Sequence, residues 1–251
     1  MIKGMIFAAG LGTRLRPLTD TMPKAMIEVG RRPMLRRVID SMAAAGIAEI
    51  VVNVHHFAGM VADYIERHRA EIQARIIISD ESDLLLDTGG GLLRATPLLE
   101  DSDAVVLHNA DILCDADLAL LTEMHLFTGA DATLMTDPLR ESSRRLLFDT
   151  DFRLHGRINL KSGAISPTGL NAEGLHRASF QGIHVVSPRV FPALAEYAGA
   201  TAREVFSITD FYCDTAATLD IRGYVAERPS TWLDVGRPES LAEARRLYAE
   251  T

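Results

Sequence analysis

Residues 7–24 read FAAGLGTRLRPLTDTMPK and follow directly on an apolar run, Ile2 to Ala8, with Lys3 inside it. A run of that kind ending at glycine reads as a buried strand feeding a loop. Ligands of open α/β sheets bind outside the carboxyl ends of the strands, where loops lead into helices. This loop lies there if the first strand is central. Gly10 and Gly12 let the backbone approach a phosphate closely, and successive amides can form an anion-binding concavity. Arg14 offers a fork of donors to phosphate oxygens, and Lys24 a point charge. Pro17 and Pro23 stiffen the connection between them. The alternative is a tight strand–helix turn with solvated arginines. Two common phosphate fingerprints are excluded. No third glycine follows at the dinucleotide spacing and no helix starts at once, and the GK[ST] of the P-loop is missing.

Outward from this loop the first half alternates. Pro33 opens a helical pattern, PMLRRVIDSMAAAG, that Gly46 closes. EIVVNV (49–54), ARIIIS (74–79), AVVLHN (104–109) and ATLMT (132–136) read as strands. Helical spacing over 58–72 rests on Met60, Val61, Tyr64 and Ile65, and further helices are expected near 89–96 and 116–127. Strands alternating with helices predict an α/β fold, a mostly parallel, Rossmann-like twisted sheet with helices on both faces. From about residue 144 the pattern shifts to short strands, with a turn at Asp149 to Asp151 and a strand at ASFQGIHVVS. Helices return near 189–198, 208–219 and 238–249. No repeat or Pro/Ser-rich linker interrupts the chain, so a single domain over 1–251 is expected, with a nucleotide-binding half (about 1–140) and a β-rich sugar-phosphate-binding half (about 141–251).

The 251 residues are 47% hydrophobic and 24% charged, with a formal charge of −8, the balance of an ordinary soluble globular protein. That charge argues against nucleic acid or an anionic membrane as partner. A polyanionic ligand must therefore meet a local basic patch, which Arg14, Arg16 and Lys24 supply. Cys114 and Cys213 make no disulfide framework, which points to a reducing cytoplasm. No apolar run approaches the ~18 residues of a membrane helix, and the opening strand is too brief for a signal peptide. A homo-oligomer remains open.

AAGLGTRLRPLTDTMPKAM resembles, nearly position for position, the signature of the sugar-1-phosphate nucleotidyltransferases, also called nucleotide-sugar pyrophosphorylases. The resemblance continues at LDTGGG (86–91), NADI (109–112), FQGIHVVSP (180–188) and WLDVGRPESL (232–241), and so covers essentially the whole chain. It implies the nucleotide-diphospho-sugar transferase type of sheet and a soluble enzyme of nucleotide-sugar synthesis, supplying cell-wall or polysaccharide precursors. The implied partners are a nucleoside triphosphate and a sugar 1-phosphate, and the implied cofactor is Mg²⁺. An oxygen of the sugar 1-phosphate attacks the α-phosphorus and pyrophosphate leaves. The triple glycine of DTGGG resembles the branch of N-acetylmuramate-1-phosphate uridylyltransferases and also that of heptose-1-phosphate guanylyltransferases. UTP is favoured as donor, with guanylyl transfer as the alternative. A catalytically silent nucleotide-sugar-binding regulatory protein is the reading from another class. It should lose the metal aspartates or the Arg–Lys pair, and all four are present.

Residue by residue, the resemblance assigns Asp111 and Asp234 to the metal, Arg14, Lys24 and Asp111 to catalysis, and Ala8, Ala9, Gly10, Gly12, Thr13, Arg14, Asp87 and Thr88 to the nucleotide. Two carboxylates beside a triphosphate suit Mg²⁺, which takes a few carboxylates plus phosphate oxygens and water. Either aspartate alone could equally cap a helix. The glycines of DTGGG are expected to clear space for a flat ring, and a carboxylate at Glu81, Asp83 or Asp87 would accept a ring N–H. On the sugar side the resemblance points to Lys24, Asn109, Gly156, Lys161 and Gly182. Two departures stand out. Ala110 replaces the usual glycine before the metal aspartate, and NLKSG around Lys161 lacks the family's proline, leaving a surface lysine in a turn as the competing reading. His108 is expected to be a half-buried histidine, since magnesium prefers oxygen.

Overall fold

The opening apolar run forms strand β1 (Ile2–Phe7), and the loop after it leads through three short 3-10 turns into a small hairpin, β2 (Glu28–Val29) and β3 (Arg32–Pro33). Then come α1 (Met34–Ala44), β4 (Glu49–Val54), α2 (Ala58–Arg67), β5 (Arg75–Asp80), α3 (Asp87–Leu99), β6 (Ala104–Asn109) and β7 (Ile112–Cys114). They are followed by α4 (Leu118–Thr128), β8 (Ala132–Asp137), β9 (Arg144–Phe148), β10 (Leu154–Asn159), β11 (Ile165–Ser166) and β12 (His176–Val186). The chain continues through α5 (Val190–Thr201), α6 (Ile208–Thr215), β13 (Ile221–Tyr224), β14 (Trp232–Asp234) and α7 (Pro238–Leu247). This computed structural model describes residues 1–226 and 231–250.

Strand β1 is central, as the loop's reading requires. It pairs in parallel with β4 on one side and β6 on the other, and β5 extends the parallel run beyond β4. On the far side of β6 the direction reverses: β12 is antiparallel to both β6 and β8, and β13 is parallel to β8. The first residues of β12 also pair with β9, which carries β10 and β11 as a β-rich extension. One eleven-residue strand thus belongs both to the main sheet and to the extension.

Both faces of the parallel strands are apolar, as continuous apolar runs dictate for a sheet covered on two sides. Met5, Val51, Val105 and Leu107 pack with α3, α5 and α6 residues on one face. Ile6, Val52, Val106 and Val185 pack with α1 and α4 residues on the other. A third, smaller core joins Leu15 and Ile27 of the opening loop to Leu113, Val235 and Leu241. Helix α2 stops at Arg67, short of the expected 72, where a ring nitrogen of His68 hydrogen-bonds the Tyr64 carbonyl at 2.8 Å. Within it Val61 is buried while Met60 stays 40% exposed.

Lys3 is tolerated inside β1 because it is fully partnered. Its ammonium lies 2.7 Å from Glu49 and 2.5 Å from Asp101, and it donates to the Leu98 carbonyl at 2.9 Å. Burial works against the charge, but the two carboxylates outweigh it and raise the pKa. Replacing Lys3 by Met should therefore cost about 3 kcal/mol in urea denaturation, the low end for a broken buried pair because Arg75 still reaches Glu49. A loss below about 1 kcal/mol would show the pair to be energetically neutral.

Candidate active site

The loop after β1 is folded on its own side chains. Gly12 has φ of +64°, and a Cβ there would fall 2.9 Å from Cβ of Lys24 and 2.8 Å from the Thr19 methyl. Thr19 closes the turn by donating from its hydroxyl to the Gly12 carbonyl at 2.9 Å. Only glycine lets the two ends of the loop meet this closely. Gly10, in contrast, faces open space, where a ligand can approach the backbone.

A cavity of about 510 Å³ opens over this loop at the carboxyl ends of β1 and β6. Every residue assigned to the nucleotide lines it: Ala8, Ala9, Gly10, Gly12, Thr13, Arg14, Asp87 and Thr88, together with Lys24, Asn109 and Asp111. A second cavity of about 710 Å³ lies against the β-rich extension and shares Asp87 and Asn109 with the first. Gly182 and Asp234 line the second. Gly182, at φ +74°, leaves room for the Asn109 amide, 2.8 Å from where a Cβ would be.

The two aspartates meet at the boundary. Strands β7 and β14 pair antiparallel, with Asp234 opposite Ile112, and the Val235 amide donates to the Asp111 carbonyl at 2.8 Å. Asp111 forms an ion pair with Lys24. Gly236 marks the point of convergence. A Cβ there would lie 2.6 Å from an Asp234 carboxylate oxygen, 2.8 Å from an Arg14 guanidinium nitrogen and 3.2 Å from the Lys24 ammonium. That Asp234 oxygen is buried and has no hydrogen-bond partner among the described residues.

Several expectations need correction. The glycines of DTGGG do not clear space for a ring; they clear space for the protein. A Cβ at Gly89 would meet the Phe206 ring at 2.4 Å, at Gly90 the Glu204 carbonyl at 2.2 Å, and at Gly91 the Glu81 carboxylate at 2.7 Å. The amides of Gly89 and Gly90 point to the Phe206 carbonyl. Of the three carboxylates considered for the base, Glu81 is wholly buried, accepting from Asn53 at 2.7 Å and from the Leu86 amide at 3.3 Å. Burial pushes its pKa up, with those hydrogen bonds opposing. Asp83 is paired with Arg94. Asp87 is the one that lines the cavity. The Ala8 amide is also spent internally, on the Asn53 side chain at 2.7 Å.

Gly156 and Lys161 line neither cavity. Gly156 is a packing position, where a Cβ would meet the Ser166 carbonyl at 2.2 Å. Lys161 sits exposed in the turn after β10, its amide held by the Asn159 side chain at 3.0 Å. Ala110 is buried in the core on the α1 face. His108 is more buried than expected, at 2% exposure, and burial pushes its pKa down to about 4.

Sequence reading missed Gly236, Asn53 and the apolar walls Leu11, Leu85 and Val205. Asn53 carries a signal, a carboxamide in an otherwise β-branched strand end. Gly236 also carries one, inside the WLDVGRPESL match. The walls carry none.

A glycine-bearing loop with Arg14 and Lys24 and two carboxylates thus border adjoining cavities at the carboxyl edge of the parallel strands of an α/β sheet. Residues 3–145 match the nucleotidyl transferase family model, and the chain belongs to that family. It is 43% identical over 103 residues to the N-acetylmuramate alpha-1-phosphate uridylyltransferase of Caulobacter vibrioides, a stretch covering 41% of this chain and 43% of that one. It is 38% identical over 103 residues to the mannose-1-phosphate guanyltransferase of Aspergillus fumigatus, covering 41% of this chain and 28% of that one. The fold is shared with HddC from Yersinia pseudotuberculosis (TM-score 0.76, 21% identity, 99% and 100% of the two chains). It is also shared with a UDP-glucose pyrophosphorylase complexed with UDP-glucose (TM-score 0.77, 20% identity, 99% and 98%).

Gly236 offers a direct probe of the convergence. Gly236→Ala would push only flexible side-chain ends, so its melting temperature should stay within a few degrees of wild type. It should nonetheless lower turnover about 100-fold, the scale for displacing reacting groups by about 1 Å. Unchanged turnover in the folded variant would show that Asp234, Arg14 and Lys24 do not act together.

Proposed function

We propose that the chain transfers a nucleotidyl group from a nucleoside triphosphate, with UTP preferred, to a sugar 1-phosphate, releasing pyrophosphate. The observation that carries this is the convergence of Arg14, Lys24 and Asp234 around Gly236, with Asp111 paired to Lys24, where two adjoining cavities meet. Each cavity has the volume of a small-molecule site. The acceptor needs no general base, because the second pKa of a phosphate monoester is about 6 and its oxygen is already ionised at neutral pH. The chain has to hold two polyanions in line and neutralise their repulsion. Arg14 forks onto the pyrophosphate as its charge grows, and Lys24 bridges from Asp111 to the phosphate under attack. The loop amides around Gly10 hold the triphosphate from below.

Asp111 and Asp234 fit a hard divalent cation, and Mg²⁺ is the cation we assign. The buried Asp234 oxygen, which has no hydrogen-bond partner among the described residues, is an anionic acceptor of the right chemistry. A cation held by two carboxylates takes the rest of its shell from phosphate oxygens and water. When bound it would supply Lewis acidity and a template for the two phosphates. We place the reaction in the cytoplasm: no disulfide joins Cys114 and Cys213, and no described helix is long and apolar enough to cross a membrane.

Asp87 suits either base, since a carboxylate can accept the one ring N–H of uracil or the N–H and exocyclic amine of guanine. The preference for UTP rests on the likeness to the N-acetylmuramate alpha-1-phosphate uridylyltransferase, 43% identical against 38% for the mannose-1-phosphate guanyltransferase. With UTP, GTP, CTP and dTTP competing for one accepted sugar phosphate, UTP should lead GTP by about tenfold or more. A lead for GTP would overturn the base and leave the rest standing. Excess chelator should abolish turnover, and Asp111→Asn and Asp234→Asn should each lower it about 1000-fold, a loss of about 4 kcal/mol of transition-state stabilisation. Full activity of either variant, or in chelator, would remove the metal assignment.

A further inference from the structure

The groups around Gly236 serve the triphosphate and the point of attack, and they leave the acceptor's phosphate without a cation on the sugar side. Lys161 cannot supply one from its exposed turn. The sugar-side cavity holds arginines instead: Arg140, Arg144, Arg145 and Arg157. Arg157 is neutralised by Asp210 at 2.5 Å. Arg145 is committed to the backbone, donating to the carbonyls of Pro138, Arg140 and Arg177. Arg144 stands exposed at the rim.

Arg140 is different. Its guanidinium carbon lies 4.0 Å from the centre of the Trp232 ring, whose indole N–H is fixed on the Gln181 carbonyl at 2.9 Å. One terminal nitrogen donates to the Phe180 carbonyl at 2.5 Å. The Arg140 Nε, like that of Arg145, is buried without a partner among the described residues, but of these arginines only Arg140 lies over a described aromatic face. No carboxylate lies within ion-pair distance of it among the described residues. Trp232 and Asp234 occupy the same face of β14, two residues or about 7 Å apart. Burial pulls the Arg140 pKa down, and the charges of Asp137 and Asp234 partly offset that. A half-buried guanidinium seated on an aromatic face in the cavity that Asp234 also lines, with its Nε shielded and no counter-ion among the described residues, gains from the arrival of an anion.

We propose that Arg140 binds the phosphate of the sugar 1-phosphate, reaching it from the sugar side of Asp234 and orienting the attacking oxygen. It takes the role that the sequence assigned to Lys161. This inference rests on the nucleotidyl-transfer reading above. Planar guanidinium and indole make the seat specific to arginine, because an ammonium can neither stack on Trp232 nor present a fork to a phosphate.

The test varies each substrate separately, using an acceptor from a sugar 1-phosphate panel that releases pyrophosphate with wild-type protein. Arg140→Met should raise KM for the sugar 1-phosphate at least 30-fold and lower kcat, while KM for the triphosphate stays within twofold. Lys161→Ala should match wild type within twofold throughout. Trp232 is the chain's one tryptophan, so its fluorescence gives a second readout. Titrating the same sugar 1-phosphate should produce a saturable change in wild type that Arg140→Met loses while its melting temperature holds. Should Arg140→Met fail to fold, Arg140→Lys should show the same split at smaller amplitude. An acceptor KM unchanged in the folded variant, or a triphosphate KM rising equally, overturns the assignment to Arg140 alone. Wild-type protein inert with every donor and acceptor overturns the functional reading and this inference with it.

Discussion

Asp111 and Asp234 stand side by side because Ile112–Cys114 pairs antiparallel with Trp232–Asp234, a ladder of only three residue pairs. Much of the site depends on that contact. It fixes the Val235 amide on the Asp111 carbonyl, sets Gly236 over Arg14 and Lys24, and presents Trp232 to Arg140. So short a ladder cannot hold itself together in water. It is held from behind by the small core in which Leu15 and Ile27 pack with Leu113, Val235 and Leu241. The opening loop and the strand of Asp234 are therefore two sides of one packed unit, although they are far apart in the chain.

The site answers an electrostatic problem that composition alone poses. A chain with a formal charge of −8 concentrates cations at two adjoining cavities, Arg14 and Lys24 in the one over the opening loop and the arginines of the β-rich extension in the other, as the proposed binding of two polyanions requires. The acidic partners are equally local. Asp111 fixes Lys24 and Asp210 fixes Arg157, so these two cations are held in place by the protein itself. Glu81 serves a different end. Its buried carboxylate binds Asn53 and the Leu86 amide, and Asn53 in turn holds the Ala8 amide. That network ties the end of β1 to the start of α3, the two rims of the nucleotide cavity.

The parallel core was legible because its information is local. EIVVNV and AVVLHN became β4 and β6 over the same residues, since continuous β-branched runs bounded by polar turns leave little choice. Strand β12 was legible as a strand, but its place antiparallel in the middle of the sheet was not, because pairing direction is set by long-range topology. The β7–β14 ladder and β13 were too short to leave a period. Motif matching brought Arg14, Lys24, Asp87 and Asp111 to one cavity, and it misplaced Lys161 and Gly156. In those cases a residue type in roughly the right register stood in for a contact that depends on the path of the extension. The glycines of DTGGG show the converse: residues expected to serve a ligand serve Phe206, Glu204 and Glu81 instead.

On the proposed function the chain clamps two anions for direct in-line displacement and contributes no nucleophile of its own. Stereochemistry at the α-phosphorus tests it most directly. A donor triphosphate carrying a single chiral sulfur at the α-phosphorus, turned over with an accepted sugar 1-phosphate, should give nucleotide sugar with inverted configuration. Retention would mean two displacements through a covalent nucleotidyl-protein, and would contradict the account.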